Sequence, residues 1–248
     1  MVDTAEPIIV YTCVTHLYDR RIQAARPAAG VRFVCFTDTP GKIEAPGWEV
    51  RRIESPARLS SGHDINRYHK LFPHRLFPEA RWSVYLDGNL RFDGDWHELV
   101  ARVAGSGSAL GAFWHPRGHD LTTEVEVCHK SRFDRRDVEV IDRQVAYYAS
   151  RGIDPAQKIP TNNLLVRDHA APGFDRAMSI WWAQLFEFCK RDQVSLMFAL
   201  KEAGATWQPL DGAGGLSPDL VRLEWHKPPL KARILRRIRQ KLGIRQAG

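Results

Sequence analysis

Asp87-Gly88-Asn89 is the stretch of this sequence whose residue types and spacing best suit chemistry. It follows Trp82-Ser83-Val84-Tyr85-Leu86, a run apolar and bulky enough to be a short buried strand. A carboxylate at the end of such a strand points into a ligand crevice, and Gly88 lets the backbone approach a ligand closely. Asn89 adds a neutral oxygen two residues on. This set suits a hard divalent cation, since Mg²⁺ or Mn²⁺ takes one or two protein oxygens together with phosphate oxygens of a substrate. The same residues also suit a plain β-turn, because Asp-Gly and Gly-Asn are common turn dipeptides.

The elements that must position this turn are legible as alternating strands and helices. Strands are expected at 8–14, 32–38, 48–53, 82–86, 109–114 and 163–167, from apolar, β-branched runs bounded by Pro, Gly and Ser. Helices are expected at 66–76, where Pro73 must bend or end the helix, and at 137–150, 174–189 and 193–203. Such alternation predicts an α/β fold with a mostly parallel sheet flanked by helices. Ligands in such sheets sit beyond the carboxyl ends of the strands, which directs attention to Tyr11-Thr12, Thr37-Asp38 and Asp87-Gly88-Asn89.

Composition sets the class. The 248 residues are 44% apolar and 26% charged, an ordinary globular balance for one α/β domain with a short appendage. No apolar run is long enough to cross a bilayer, and 1–7 lacks the basic start and apolar core of a secretion signal. Cys13, Cys35, Cys128 and Cys189 are scattered, and Cys13 and Cys35 sit in apolar runs as buried thiols, so a reducing cytoplasm is expected. Of the 36 Lys and Arg, eight lie beyond residue 226 with no acid among them, leaving 28 against 29 acidic residues in the nearly neutral body. The net charge of +7 therefore belongs to the tail and argues against a nucleic-acid partner for the body.

Longer motifs add to the turn. Residues 67–78 followed by 82–89 resemble the "R-x-x-K … lLP … viYLDaD" segment of nucleotide-sugar glycosyltransferases with the GT-A, Rossmann-like fold. Thr161-Asn162-Asn163-Leu164-Leu165-Val166 is similar to the "fNsGv" strand of the glycogenin and lipopolysaccharide galactosyltransferase families. Arg191-Asp192-Gln193 resembles their "DQ", and His226-Lys227-Pro228 their C-terminal "H…KP". A closer resemblance is to the glycosyltransferase-like family, first described as a domain without assigned function, that includes plant mucilage and turgor-related proteins. It rests on Tyr11-Thr12 with Asp19, 33–38, 47–50, 66–78, 84–89, His115 with Arg117, 148–152 and 191–195, and it includes Asn89 in place of a second Asp.

The resemblance implies transfer of a sugar from a nucleotide donor, UDP-hexose foremost, to a glycan or lipid-linked acceptor, with retention of anomeric configuration suggested. It implies a divalent cation, Mn²⁺ or Mg²⁺, held weakly by Asp87, Asn89 and His226, with Lys227, Lys70 or Arg67 helping to stabilise the leaving diphosphate. Tyr11 and Thr12 would flank the base, Asp38 would reach base or ribose, and Gly88, Asn162 and Asn163 would line the donor. Asp192 would cap its helix, stand near the anomeric carbon, or both, with Gln193 beside it among the expected catalytic residues.

Other groups are less specific. His115-Pro116-Arg117 follows a strand and suits either a ligand or a loop role, and Glu124 or Glu126 could serve as an acceptor-side base. His63, His69, His74, His97, His119 and His129 lack ligand-like spacing and are expected to be surface or satisfied core histidines. Trp181-Trp182 is expected to be helix packing. These assignments give a domain over 1–228 and a basic amphipathic helix over 229–248, whose Leu and Ile recur at helical spacing among cations. Such a helix suits an anionic membrane surface, which would place the chain at the inner face of the membrane, or a solvated helix end. Two rival functions stand beside transfer. A sugar nucleotidyltransferase would carry a Gly-rich, Lys-containing signature that 11–21 lacks, and a non-catalytic nucleotide- or sugar-binding relative would explain Asn89.

Overall fold

The computed structural model describes residues 7–54, 59–131, 135–212 and 214–224. Its centre is a seven-stranded sheet built from β1 (Ile8–Val14), β2 (Val31–Thr37), β3 (Glu49–Arg52), β4 (Trp82–Leu86), β6 (Leu110–Trp114), β7 (Pro160–Asp168) and β8 (Trp207–Pro209), with β5 (Leu90–Phe92) and β9 (Val221–Leu223) paired beside it. The order across the sheet is β3-β2-β1-β4-β7-β6-β8, and only β7 runs against its neighbours. The mostly parallel α/β architecture expected from the alternation is the one found.

β1 is buried throughout because both of its faces are covered, as in parallel sheets generally. Ile9, Tyr11 and Cys13 face one core, together with Leu71, Phe77, Phe174 and Trp181. Ile8 and Val10 face a second core with Trp96, Leu99 and Val103. The first core is closed by α1 (Gly62–Leu71), α2 (Pro73–Leu76), α6 (Phe174–Glu187) and α7 (Asp192–Ala203), and the second by α3 (Trp96–Ser106). α4 (Leu121–Ser131) and α5 (Arg135–Ser150) pack Val125, Ile141 and Tyr148 against Val194 and Phe198 of α7. α7 is thus sandwiched between two apolar layers, so it lacks a polar face. Full burial of a large aliphatic or aromatic side chain is worth about 1.5–3 kcal/mol, which makes these layers the main stabilising force.

Several expected boundaries move. The helix expected at 66–76 begins at Gly62 and is divided by Pro73, as its ring requires. The strand expected at 163–167 extends to Pro160 and runs antiparallel, so its first residues, not its last, reach the carboxyl edge of the sheet. The tail over 229–248, the boundary after 228, His226 and Lys227 lie outside the described residues.

Candidate active site

The chain passes from β1 outward to β2 and β3, then returns to the other side of β1 as β4. Between the carboxyl ends of β1 and β4 the order reverses, the place where open α/β sheets bind ligands. Three strand ends supply the crevice. After β1, His16 and Leu17 adopt left-handed backbone (φ 54° and 52°), a conformation costing L-residues about 1–2 kcal/mol each. The strain is held by Asp38 at the end of β2, whose carboxylate oxygens accept the His16 N–H at 2.9 and 3.1 Å. Thr15 Oγ1 ties the same loop to Gly62 O on α1 at 3.0 Å. Tyr18 stands out of this loop with 88% of its surface exposed.

After β4, Asp87-Gly88-Asn89 does form a turn, closed by Leu90 N–H on Asp87 O at 2.9 Å. The turn is also anchored in the site. Asp87 N–H donates to Asn163 O on β7 at 2.9 Å, and Asn89 O accepts the Glu224 N–H at 2.8 Å. A side chain at Gly88 would begin 2.9 Å from an Asp19 carboxylate oxygen and 3.0 Å from Val14 Cγ2, so any larger residue would have to displace these two side chains. The Asp87 carboxylate keeps 38% of its surface open to the crevice.

α1 supplies the cations. Asp64, Arg67 and Lys70 fall on one helix face and meet the 190–192 turn, which α6 and α7 place opposite them. Lys190 Nζ donates to both oxygens of Asp64 at 2.6 and 2.7 Å. Arg67 lies 3.3 Å from Asp192 Oδ1, while Lys70 Nζ donates to Asp192 Oδ2 at 2.8 Å. The same ammonium is 3.8 Å from Asp87 Oδ1 and 5.0 Å from the Tyr85 ring centre. Lys70 and Asp192 are both almost wholly buried. Burial raises the Asp192 carboxyl, but Arg67, Lys70 and Arg191 together outweigh it and hold it far below the carboxylate range. Burial pulls the Lys70 ammonium down, opposed by Asp192 and Asp87. A buried anion with two partners is thus built next to a partly open carboxylate.

The structure brings Asp38, Arg67, Lys70, Asp87, Gly88, Asn89, Asn162, Asn163 and Asp192 to this edge of the sheet, and it corrects three expectations. Tyr11 and Thr12 do not flank a base, because both lie fully buried in mid-strand. The Tyr11 hydroxyl donates to Lys70 O at 3.0 Å and accepts from Arg167 at 2.7 Å, and burial pushes it up to about 12. Asp192 is not a helix cap, since Arg191 holds the N-cap position and the Asp192 carboxylate turns to α1. Gln193 joins α7 to β7, with Oε1 accepting the Asn162 N–H at 3.2 Å and Nε2 donating to Pro160 O, so it positions rather than reacts. Among the described residues, neither polar atom of the Asn162 amide, nor Oδ1 of Asn163, has a hydrogen-bond partner despite burial. A buried amide without a partner costs free energy unless a ligand or water completes it.

Trp181 is core packing as expected, and its indole N–H also donates to Asp192 O at 3.0 Å. Trp182 packs edge-on against Tyr68 and Phe72. His69, His97 and His129 are satisfied by Ile65 O, Ala29 O and Asp142. His119 is different. It is buried beside His115 and Glu124, a juxtaposition that the sequence did not announce. Burial, followed by the neighbouring His119, pushes the His115 imidazole down to about 4, so it is neutral at pH 7. Glu124 is buried with its Oε1 2.7 Å from Arg191, while Glu126 lies on the surface with Lys130. Tyr18 and the Asp64–Lys190 pair carried no sequence signal.

Residues 61–208, from the start of α1 into β8, match the family model of the TOD1/MUCI70, glycosyltransferase-like domain. The chain belongs to that family. The TOD1/MUCI70 match encloses Lys70, Asp87, Asn162 and Asp192, so the whole cation and carboxylate network falls inside the family's own segment. The chain is similar to "Probable hexosyltransferase MUCI70" of Arabidopsis thaliana, 28% identical over 145 residues that make up 55% of this chain and 24% of that protein. It therefore spans about a quarter of the length of that relative. Among solved structures, it is similar to the apo WbbM bifunctional glycosyltransferase (TM-score 0.46, 13% identity, 79% of this chain and 38% of that one). It is similar also to apo mouse xyloside xylosyltransferase 1 (TM-score 0.47, 11% identity, 83% of this chain and 85% of that one).

Proposed function

We propose that this TOD1/MUCI70-family chain transfers a hexose from a nucleotide donor, UDP-linked, to a glycan or lipid-linked acceptor, with retention of configuration. The observation that carries the reading is the Lys70–Asp192 pair, buried at the switch point with Asp87 3.8 Å from the same ammonium. Departure of a nucleoside diphosphate leaves negative charge on a phosphate, and preorganised cations are what such a step requires. Lys70 and Arg67 are held in place for that charge by Asp192, whose ionised carboxylate also suits positive charge developing on a sugar ring.

The Asp87 turn fits a divalent cation. Its carboxylate is partly open, Asn89 adds an amide oxygen, and oxygen donors of this kind suit Mn²⁺ or Mg²⁺. Such a cation, when bound, supplies Lewis-acid stabilisation of the leaving diphosphate. Asn89 carries no charge, so the affinity is expected to be lower than for two carboxylates. Glu224, two residues before His226, is bonded to Asn89, which supports His226 and Lys227 as further members of the site. With Tyr11 buried, we assign the base to the exposed Tyr18 ring and to Asp38.

A thermal-shift panel of nucleoside diphosphates and nucleotide sugars, each with and without Mn²⁺, tests this reading. Saturation at about 100 times Kd adds ~2.7 kcal/mol to the native state, a clear rise in Tm. One nucleotide series is expected to shift the protein, more strongly with Mn²⁺, and Tyr18→Ala to reduce the shift. No shift with any nucleotide would favour the non-catalytic relative that Asn89 suggests.

The tail reading is separate. Among the described residues no helix is long and apolar enough to cross a membrane. The cations and regularly spaced Leu and Ile of 229–248 support docking on an anionic cytoplasmic membrane surface. Deleting 229–248 is expected to abolish sedimentation with anionic vesicles while sparing donor hydrolysis, and unchanged sedimentation would refute it.

A further inference from the structure

We propose that His115, His119 and Glu124 form a binding site for a borderline divalent cation of the Zn²⁺ class, separate from the Asp87 turn. The three side chains come from the end of β6, the turn beyond it and the first turn of α4, and their nearest ligand atoms all lie within 4.8 Å of one another.

The backbone builds this cluster. Gly118, with φ 62°, allows the chain to reverse, and its N–H donates to His115 O at 2.7 Å. His115 N–H then donates to Ile159 O, and Ile159 N–H to His119 O, each at 3.1 Å. Both histidines are thereby fixed to the same residue, and their rings stack at 3.9 Å with 17° between planes. Asp120 accepts the Thr123 N–H at 2.7 Å, starting α4 so that Glu124 faces back toward the rings.

The side chains are poised for an ion. His115 Nδ1 is buried and has no hydrogen-bond partner among the described residues. His119 Nδ1 sits 3.5 Å from Glu124 Oε2, close to the spacing of two ligands on one tetrahedral ion. Arg191 takes the other oxygen, Oε1, at 2.7 Å, fixing the carboxylate as outer-shell partners of metal ligands do. Imidazole lone pairs lie in the ring plane, so the stacked rings must turn toward one another for both nitrogens to reach a shared ion at ~2.0–2.1 Å. Two imidazoles and one carboxylate suit Zn²⁺ or Co²⁺ over Mg²⁺ or Ca²⁺. With three protein ligands, a fourth position stays open to water or a hydroxyl oxygen.

The test is titration of the metal-free full chain with Co²⁺, read by visible absorption, and with Zn²⁺, read by calorimetry. Wild type is expected to give the intense Co²⁺ band of a four-coordinate site. His119→Ala should lose it, with affinity falling by more than the ~10–100-fold typical of losing an outer-shell partner. His115→Ala, at a less buried position than His119, should do the same and decides the matter if His119→Ala fails to fold. Asp87→Ala should keep the band. Binding unchanged in His115→Ala, a band lost only in Asp87→Ala, or no Co²⁺ or Zn²⁺ binding at all would overturn the proposal. The readout does not depend on nucleotide, so its failure is distinguishable from failure of the donor-site reading.

Discussion

Asp192→Asn is expected to abolish measurable transfer and to lower stability by about 3–5 kcal/mol, the usual cost of breaking a buried ion pair by removing one partner. For a chain of this size that is a fall in Tm of roughly 6–20 °C. Asparagine keeps the volume, so the loss is electrostatic: Lys70 and Arg67 are left without the anion that they share at 2.8 and 3.3 Å. The pH dependence has a definite sign. The Asp192 carboxyl is depressed in the folded protein, so its contribution is complete above the unfolded value of about 3.9 and is lost as pH falls through the lower folded value. The Tm gap between wild type and variant should therefore be constant from neutrality to about pH 5 and narrow in stronger acid. A variant that melts with wild type, or that turns over donor normally, would remove Asp192 from the centre of the site.

Asp87→Ala separates chemistry from folding. Its carboxylate is partly open and stands 3.8 Å from Lys70, beyond hydrogen-bond length, so Tm should change by less than the equivalent of ~1 kcal/mol. Donor hydrolysis should nevertheless fall about 100- to 1000-fold, the scale on which a single preorganised electrostatic group acts. The Mn²⁺-dependent part of the nucleotide-induced thermal shift should vanish with it. Normal hydrolysis by this variant would show that the cation assigned to Asp87 and Asn89 is held elsewhere.

What could be read in advance depended on how local each cause was. β1 and β4 have the bounds their apolar runs indicate, because strands buried on both faces need no partner to announce them. β5, β8 and β9 have three residues each and exist only through partners distant in sequence. α3 was not among the expected helices, although Asp95 caps it by accepting from the N–H groups of His97 and Glu98. The misreading of Tyr11 has a simple origin. Ligands lie beyond strand ends, and β1 continues three residues past Tyr11 to Val14, so the crevice begins at Thr15. Asp192 was legible as a residue of interest, whereas its partners Arg67 and Lys70 lie far away in sequence and only the packing of α1 on α6 and α7 brings them together. The His115–His119–Glu124 cluster was hidden for a related reason, because a reversal at Gly118 is needed to fold its spacing into a site.

The pairing of β5 with β9 fixes the order in which the protein can become competent during its synthesis. Asn89 leaves the ribosome early, but its carbonyl waits for the N–H of Glu224, at the far end of the described chain. Every strand of the main sheet has emerged by then, including β8 at Trp207–Pro209. The nascent chain can thus assemble its sheet and bury the two cores that flank β1 while the turn that carries Asp87 still lacks this backbone tether. Anchoring of the Asp87 turn thus follows synthesis of the sheet, timed by where in the chain Glu224 is encoded.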